Sequence, residues 1–248
     1  MNSIMDRMIE RIRDDYSDLR VVDYVVGTGM TAVKLSDGGV GVAHIFREEL
    51  PPGCMIFDEL LPSQTGIEEF VKQARLYHPV TVSLALAAIN AIFNRIERDN
   101  ENEKDIFDLA EINKDDVVGF VGDFRPLTRV LREKVKKLMV FERIPGEDYL
   151  PDWAIPWKLK ECDVAIITGT TIMNKTIDHI LQSVETDRVF IFGPSTVLLP
   201  DVYPECVKAI GGTRIIDGDK AMDIASKAGG TKNLYRMNAA KKITVRIH

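Results

Sequence analysis

The 248-residue chain has little of what staples, spans or electrostatically pulls a protein to a surface. Its three cysteines, Cys54, Cys162 and Cys206, are odd in number and far apart, which excludes a disulfide framework. No two Cys or His residues lie within four positions of each other, and C-x-x-C, H-E-x-x-H and calcium-loop patterns are absent. No zinc or calcium site is therefore written as a local motif. An apolar run of ~20 residues and an N-terminal apolar leader core are also missing, so neither a membrane span nor secretion is expected, and the chain reads as cytoplasmic. Nor is there an excess of positive charge: 32 Lys and Arg against 38 Asp and Glu leave a net charge of −6. General attraction to nucleic acid or to an anionic membrane is excluded on that ground, and a small-molecule partner is expected instead.

What is present is enough apolar (45%) and charged (28%) residue for ordinary cores under a solvated surface. The length suits two domains. Apolar Ile4, Met5, Met8, Ile9 and Ile12 recur at helical spacing. Three β-rich runs follow (20–26, 31–35 and 40–46), broken by Gly27-Thr28-Gly29 and Asp37-Gly38-Gly39, which predicts an antiparallel meander. Residues 50–66 read as an irregular loop, and a helix over about 81–98 carries Val82, Leu86, Ile89, Phe93 and Ile96 on one face with Ala85, Ala88 and Ala91 near it. The polar run 97–104 reads as the start of a linker, which puts the boundary near residue 110. The expected domains are thus an α+β unit over 1–110 and a second unit over 111–248.

In the second unit short apolar runs (117–121, 138–141, 164–167, 189–192 and, more weakly, 213–216) alternate with helical stripes, Leu127, Val130, Leu131 and Val135 in one and Ile177, Ile180, Leu181 and Val184 in another. This pattern predicts a Rossmann-like, doubly wound parallel sheet, in which ligands sit outside the carboxyl ends of the strands. The first such loop is Gly122-Asp123-Phe124, with Glu142 twenty residues beyond Gly122, where a dinucleotide-binding fold places a ribose-binding carboxylate; G-x-G-x-x-G itself is absent. The second loop carries Gly169, Thr170, Thr171 and Asn174, with Asn174 expected to cap the following helix. The third, Gly193-Pro194-Ser195, is expected to be a tight turn with an exposed hydroxyl. No histidine neighbours Ser195 and no G-x-S-x-G elbow is present, which argues against a Ser-His-Asp hydrolase. A metal site would have to be assembled by the fold from Cys54, Cys206, His44, Asp123 and Glu142. The strand-end turns themselves offer hydroxyls, amides and carboxylates, which suit harder ions or the oxygens of a chelate. Asn90 interrupts an apolar helix face and is expected to be buried at the domain junction.

Residues 27–33, 41–43, 80–91, 118–124, 168–176, Gly193-Pro194-Ser195 with Pro200, and 229–231 together resemble the family described as putative heavy-metal chelation, a bacterial and archaeal family of unknown function. The resemblance covers almost the whole chain. It implies an N-terminal domain folded like that of enolase, a C-terminal Rossmann-like domain, and a site in the cleft between them.

Three functions remain open at this level. One is a binding protein for a small anionic or metal-chelate compound, held by the Gly122, Gly169 and Gly193 turns with Asn90 or His44 from the first domain. Another is an enzyme using an adenosyl cofactor at the Gly122/Glu142 corner. The last is a structural or interaction subunit. Homo-oligomerisation, the ligand and the occurrence of catalysis stay open in all three.

Overall fold

The protein is described by a computed structural model covering residues 2–53, 61–102, 106–144 and 146–247. Helix α1 (Ile4–Asp15) opens the chain, capped by Ser3, whose side chain accepts the Asp6 amide, with Ile4, Met5, Met8, Ile9 and Ile12 buried. Strands β1 (Arg20–Val26), β2 (Thr31–Leu35) and β3 (Val40–Ala43) form the expected meander, and β4 (Thr65–Gly66) adds to β1. The β2–β3 hairpin turns on Gly38, whose φ of +86° a side chain would oppose, with Asp37 Oδ1 accepting the Gly39 amide at 3.1 Å. Helices α2 (Ile67–Lys72) and α3 (Pro79–Phe93) complete this part.

The rest of the chain runs β5 (Glu101–Asn102), α4 (Ile106–Leu109), β6 (Val117–Val121), α5 (Arg125–Lys134), β7 (Lys137–Glu142), β8 (Tyr149–Pro151), α6 (Ile155–Lys158), β9 (Val164–Thr168), α7 (Thr170–Met173), α8 (Ile177–Gln182), β10 (Val189–Phe192), β11 (Val207–Ile215), α9 (Gly218–Ser226), α10 (Thr231–Arg236) and β12 (Ala240–Arg246). Among the described residues the second sheet has the order β5-β12-β11-β10-β9-β6-β7-β8. The strands from β11 to β8 are mutually parallel, while β12 and β5 are antiparallel additions at the far edge. The chain is therefore a two-domain α/β protein with a parallel-rich sheet. Strand order reverses between β6 and β9, because β7 lies on one side of β6 and β9 on the other.

Several expectations need correction. The weak run at 213–216 is only the end of the nine-residue β11, which is cut by Gly211 and Gly212 and so lacks a continuous apolar signature. In α5 the buried residues are Thr128 and Leu131, and Val130 points to solvent. The polar run after α3 is no free linker, since Glu101–Asn102 pairs with β12. Helix α3 is not one-sided: every residue from Val80 to Phe93 is buried.

That burial follows from how the two parts interlock. On β3, Val40 and Val42 face one way and pack with Ala221, Met222, Ile224 and Ala225 of α9, while Gly41 faces the opposite way, onto α3. A Cβ at Gly41 would lie 2.2 Å from Ala91 N and 2.3 Å from Ala87 O, so the small residues Gly41, Ala87 and Ala91 permit a very close helix-to-sheet approach. The first sheet is thus covered on one face by α3 and on the other by a helix from the second half of the chain. One buried cluster joins Ile4, Leu84 and Ile89 to Ile167, Ile191 and Leu198.

Candidate functional site

The three glycine turns converge at the carboxyl edge of the parallel sheet. Gly122 N donates to Phe141 O at 2.9 Å, Gly169 N to Phe192 O at 2.7 Å and Gly193 N to Gly211 O at 2.9 Å, so each turn leaves its strand while still tied to the next. Gly122 and Gly193 have φ of +89° and +122°, conformations that only glycine adopts without strain. Thr168, the last residue of β9, stands between them. Its Cγ2 lies 2.6 Å from where a Gly122 Cβ would be, and its Oγ1 lies 3.8 Å from that position at either Gly122 or Gly193. Thr170 Oγ1 donates to Thr168 Oγ1 at 3.2 Å, which sets two partly accessible hydroxyls side by side at the point where strand order reverses.

Beside this centre the Gly122/Glu142 corner is already occupied by the chain itself. Glu142 Oε1 accepts the Asp123 amide at 2.5 Å and its Oε2 accepts the Arg143 amide at 3.0 Å. The carboxylate that the spacing pointed to therefore holds the β6 turn in place. Asp123 is equally engaged: its carboxylate accepts from Thr128 Oγ1 (2.8 Å) and the Tyr149 hydroxyl (2.5 Å) and lies 3.4 Å from Arg125 Nε. The hydrogen bond to Asp123 raises the Tyr149 phenol above its usual range. Phe124 is partly exposed and packs edge-on against Phe192, with centroids 6.5 Å apart.

Asn174 does not cap the helix after it. It ends α7, its Oδ1 accepts from the Thr176 amide and hydroxyl at 3.2 and 2.7 Å, and Thr176 occupies the N-cap position of α8. Thr171 is buried, its hydroxyl given to Thr168 O at 2.7 Å. Ser195 is a further correction: its hydroxyl is wholly buried rather than exposed, because it accepts the backbone amide of His44 at 2.9 Å across the junction. The His44 ring packs edge-on to Phe46, and burial lowers its pKa by disfavouring the charged form. Phe46 in turn lies under Arg143, 4.9 Å from ring centroid to guanidinium carbon, and Arg143 pairs with Glu49. The 44–49 loop and the end of β7 are joined in this way.

Asn90 is 2% exposed and donates to Val42 O (2.9 Å) and Pro194 O (3.4 Å), bridging the two halves as expected. Sequence reasoning missed its neighbours on the same stripe of α3. Ser83 donates to His44 O at 2.5 Å and shares a 2.7 Å hydrogen bond with Thr31. Asn94 donates to Thr196 O and Thr213 O and accepts the Leu198 amide. The spacing 83, 90, 94 was the available signal, since polar residues at i, i+7 and i+11 share one helix face. Two polar atoms there have no hydrogen-bond partner: Asn90 Oδ1, and Thr196 Oγ1, which is buried against Gly169. Replacing Thr196 by valine keeps the shape and removes an unsatisfied hydroxyl, so it should be neutral or stabilise by up to about 1 kcal/mol in urea unfolding. A loss above that size would reveal a buried partner.

The soft donors lie elsewhere. Cys162 precedes β9 and Cys206 precedes β11, so both sit at the opposite, amino-terminal edge of the sheet. Burial pushes the Cys162 thiol up to about 12, and burial likewise raises Cys206. Cys54 lies outside the described residues. Among those described, no three His, Cys, Asp or Glu residues gather as a metal site. The open polar groups at the glycine turns are the Thr168 and Thr170 hydroxyls, and the turn amides and the carboxylates of Asp123 and Glu142 are committed to the chain, so this set does not fit a resident soft metal ion. Two depressions, of about 400 and 630 Å³, also open at the amino-terminal edge, where Arg188 is paired with Asp116 and Lys208 approaches Asp187.

Residues 105–244 match the family pattern described as putative heavy-metal chelation, DUF364, and residues 6–93 match a second pattern of the same description, DUF4213. An uncharacterised protein of Methanocaldococcus jannaschii is 29% identical over 258 aligned positions, covering 100% of this chain and 98% of its own. The crystal structure of a DUF364 protein of unknown function from Desulfitobacterium hafniense superposes with a TM-score of 0.82 at 26% identity, covering 98% of this chain and 97% of that one. A second, from Pyrococcus horikoshii, gives 0.83 at 25% identity over 98% and 99% of the two chains. Among the described residues no helix is long and apolar enough to cross a membrane. With its pattern spanning 105–244 and whole-length structural relatives of the same kind, the chain belongs to the DUF364 family described as putative heavy-metal chelation.

Proposed function

We propose that this protein binds a small anionic or metal-chelate compound at the carboxyl edge of the parallel sheet, against the glycine turns at 122, 169 and 193 and beside the His44–Phe46 loop. The observation that carries this reading is the convergence of three turns on the Thr168 and Thr170 hydroxyls at the reversal of strand order, where open α/β sheets hold their ligands. Two of these turns need glycine for their backbone, so a ligand can come close to the main chain there; the Gly122, Asp123, Gly169 and Gly193 amides are already given to the chain, and the Thr168 and Thr170 hydroxyls are the polar groups that face it. Hydroxyl groups address the oxygens of a carboxylate, a phosphate or a metal chelate better than a bare soft ion. Heavy-metal handling, in this reading, means holding a metal through its chelator.

Thermal unfolding with inorganic phosphate, citrate, zinc citrate and free zinc tests the idea. An oxyanion or chelate should raise the melting temperature more than free zinc does, and Thr168→Val should reduce that rise. Absence of any oxyanion or chelate effect, or an effect untouched by Thr168→Val, would overturn the reading.

A further inference from the structure

The depression of about 400 Å³ at the amino-terminal edge has an apolar floor and two walls of different charge. Phe190 of β10 and Ala209 of β11, paired across parallel strands, make the floor and continue a buried cluster with Val118, Val164 and Ile166. The chain at and after the end of α4, including Ala110 and Glu111, makes one wall. Arg188 holds that wall in place: its Nη2 donates to Ala110 O and Glu111 O, both at 3.1 Å, and its guanidinium pairs with Asp116 at 2.8 Å. The charge of Arg188 is therefore spent. Arg246 of β12 makes the other wall, since it pairs with Ala209 and so projects from the same face of the sheet. Among the described residues Arg246 bonds only through its backbone, and its guanidinium has no carboxylate partner. At the rim Lys208 is the extra residue of a β-bulge, because Val189 pairs with Val207 and Phe190 with Ala209. Its ammonium reaches Glu205 O at 3.4 Å and lies 3.9 Å from Asp187, an acid whose side chain is 79% exposed, so a donor is left over. Glu111, on the wall opposite Arg246, also makes no ion pair among the described residues. An acid and a base thus line one cavity, over an apolar floor, without meeting each other.

We infer that this cavity is a second binding site, separate from the glycine turns at the carboxyl edge, and that it takes a small zwitterion, an α-amino acid with a compact apolar side chain. Arg246, helped by Lys208, meets the carboxylate, Glu111 meets the ammonium, and the side chain of the guest lies on Phe190 and Ala209. Guanidinium is suited to the first contact because its planar fork matches a carboxylate. Each charge of the guest answers one that the protein leaves open. A simple anion would leave Glu111 unanswered, and a simple amine would leave Arg246 so. An apolar lining with a few placed polar groups, in a volume of about 300 Å³ or more, is the usual make-up of a small-molecule pocket.

Titration calorimetry of the full chain with L-leucine, isocaproate and isoamylamine tests each contact, since the two analogues lack the amine and the carboxylate respectively. Leucine should bind at least ~10-fold more tightly than either, a charge-assisted hydrogen bond being lost with each group. Arg246→Ala should weaken leucine and isocaproate by a similar factor and leave isoamylamine unchanged. Glu111→Gln should weaken leucine and isoamylamine and spare isocaproate. Neither side chain has an ion-pair partner to lose, so the melting temperature of the free protein should hold in both variants. Backbone amide resonances of Phe190 and Ala209 should shift on binding. Thr168→Val should leave leucine binding as it is, which separates this site from the one at the glycine turns. No leucine binding at millimolar concentration, an analogue that binds as tightly as leucine, an affinity untouched by Arg246→Ala, or loss of binding in Thr168→Val would each overturn the inference.

Discussion

Glu101→Ala is expected to lower the unfolding free energy by about 3–5 kcal/mol, because it leaves a guanidinium buried without its counter-charge. Glu101 and Arg214 have side chains only 11% and 6% exposed, and they are joined by two hydrogen bonds, from Nη1 to Oε2 at 2.8 Å and from Nη2 to Oε1 at 2.6 Å. The remaining donors of Arg214 reach Asn94 O at 2.7 Å and Ile96 O at 2.6 Å, so this one side chain ties the end of α3 to β11 and to β5. Arg98 Nη1 lies 3.8 Å from the same carboxylate, and removing the acid leaves two guanidiniums facing each other. Urea unfolding of Glu101→Ala and Glu101→Gln checks the claim. The amide keeps an acceptor and should lose less than alanine. A cost below about 1 kcal/mol for alanine would show that water reaches Arg214.

Gly41→Ala should be at least as severe, about 3 kcal/mol or more, through overpacking rather than loss of charge. The added methyl meets backbone on both sides, Ala91 N and Ala87 O, and backbone cannot rotate away as a side-chain tip can. Helix α3 would have to lift from β3, which also stretches the Asn90 hydrogen bonds to Val42 O and Pro194 O. Circular dichroism should show native secondary structure with a much lower melting temperature. Gly38→Ala serves as the internal comparison, since nothing lies within 4 Å of its added Cβ and only its φ of +86° resists substitution. Equal effects at the two positions would mean that conformational strain, not contact, governs Gly41.

Much of the fold could be read from period and punctuation. The meander, its Asp37-Gly38 turn and the strands β6, β7, β9 and β10 carry local signals, either alternation around a tight turn or apolar runs bounded by breakers. Strands β11 and β12 were harder to see. Gly211 and Gly212 interrupt the first, and β12 carries Lys241 and Lys242, so neither shows an unbroken apolar run. At the candidate site the glycines announced themselves as turns, and the carboxyl edge followed from strand–helix alternation. The fate of each polar side chain did not. Glu142 had the spacing of a ribose ligand and Ser195 the look of an exposed hydroxyl, but each closes a backbone hydrogen bond that exists only after folding, to the Asp123 amide in one case and the His44 amide in the other.

Local chemistry along the chain thus settled the element types, the turns that need glycine and the edge of the sheet where they gather, because φ restrictions and hydrophobic period act over a few residues. Folding settled which polar groups are spent on structure and which remain open. Asn90, Asn94 and Arg214 find partners 48 to 120 residues away, and nothing within a local window can foretell such a partner. Helix α3 shows the same limit for packing. Its apolar character is plain in the sequence, yet burial on every side arises from long-range contact, as the other half of the chain packs around the helix and the far face of its sheet.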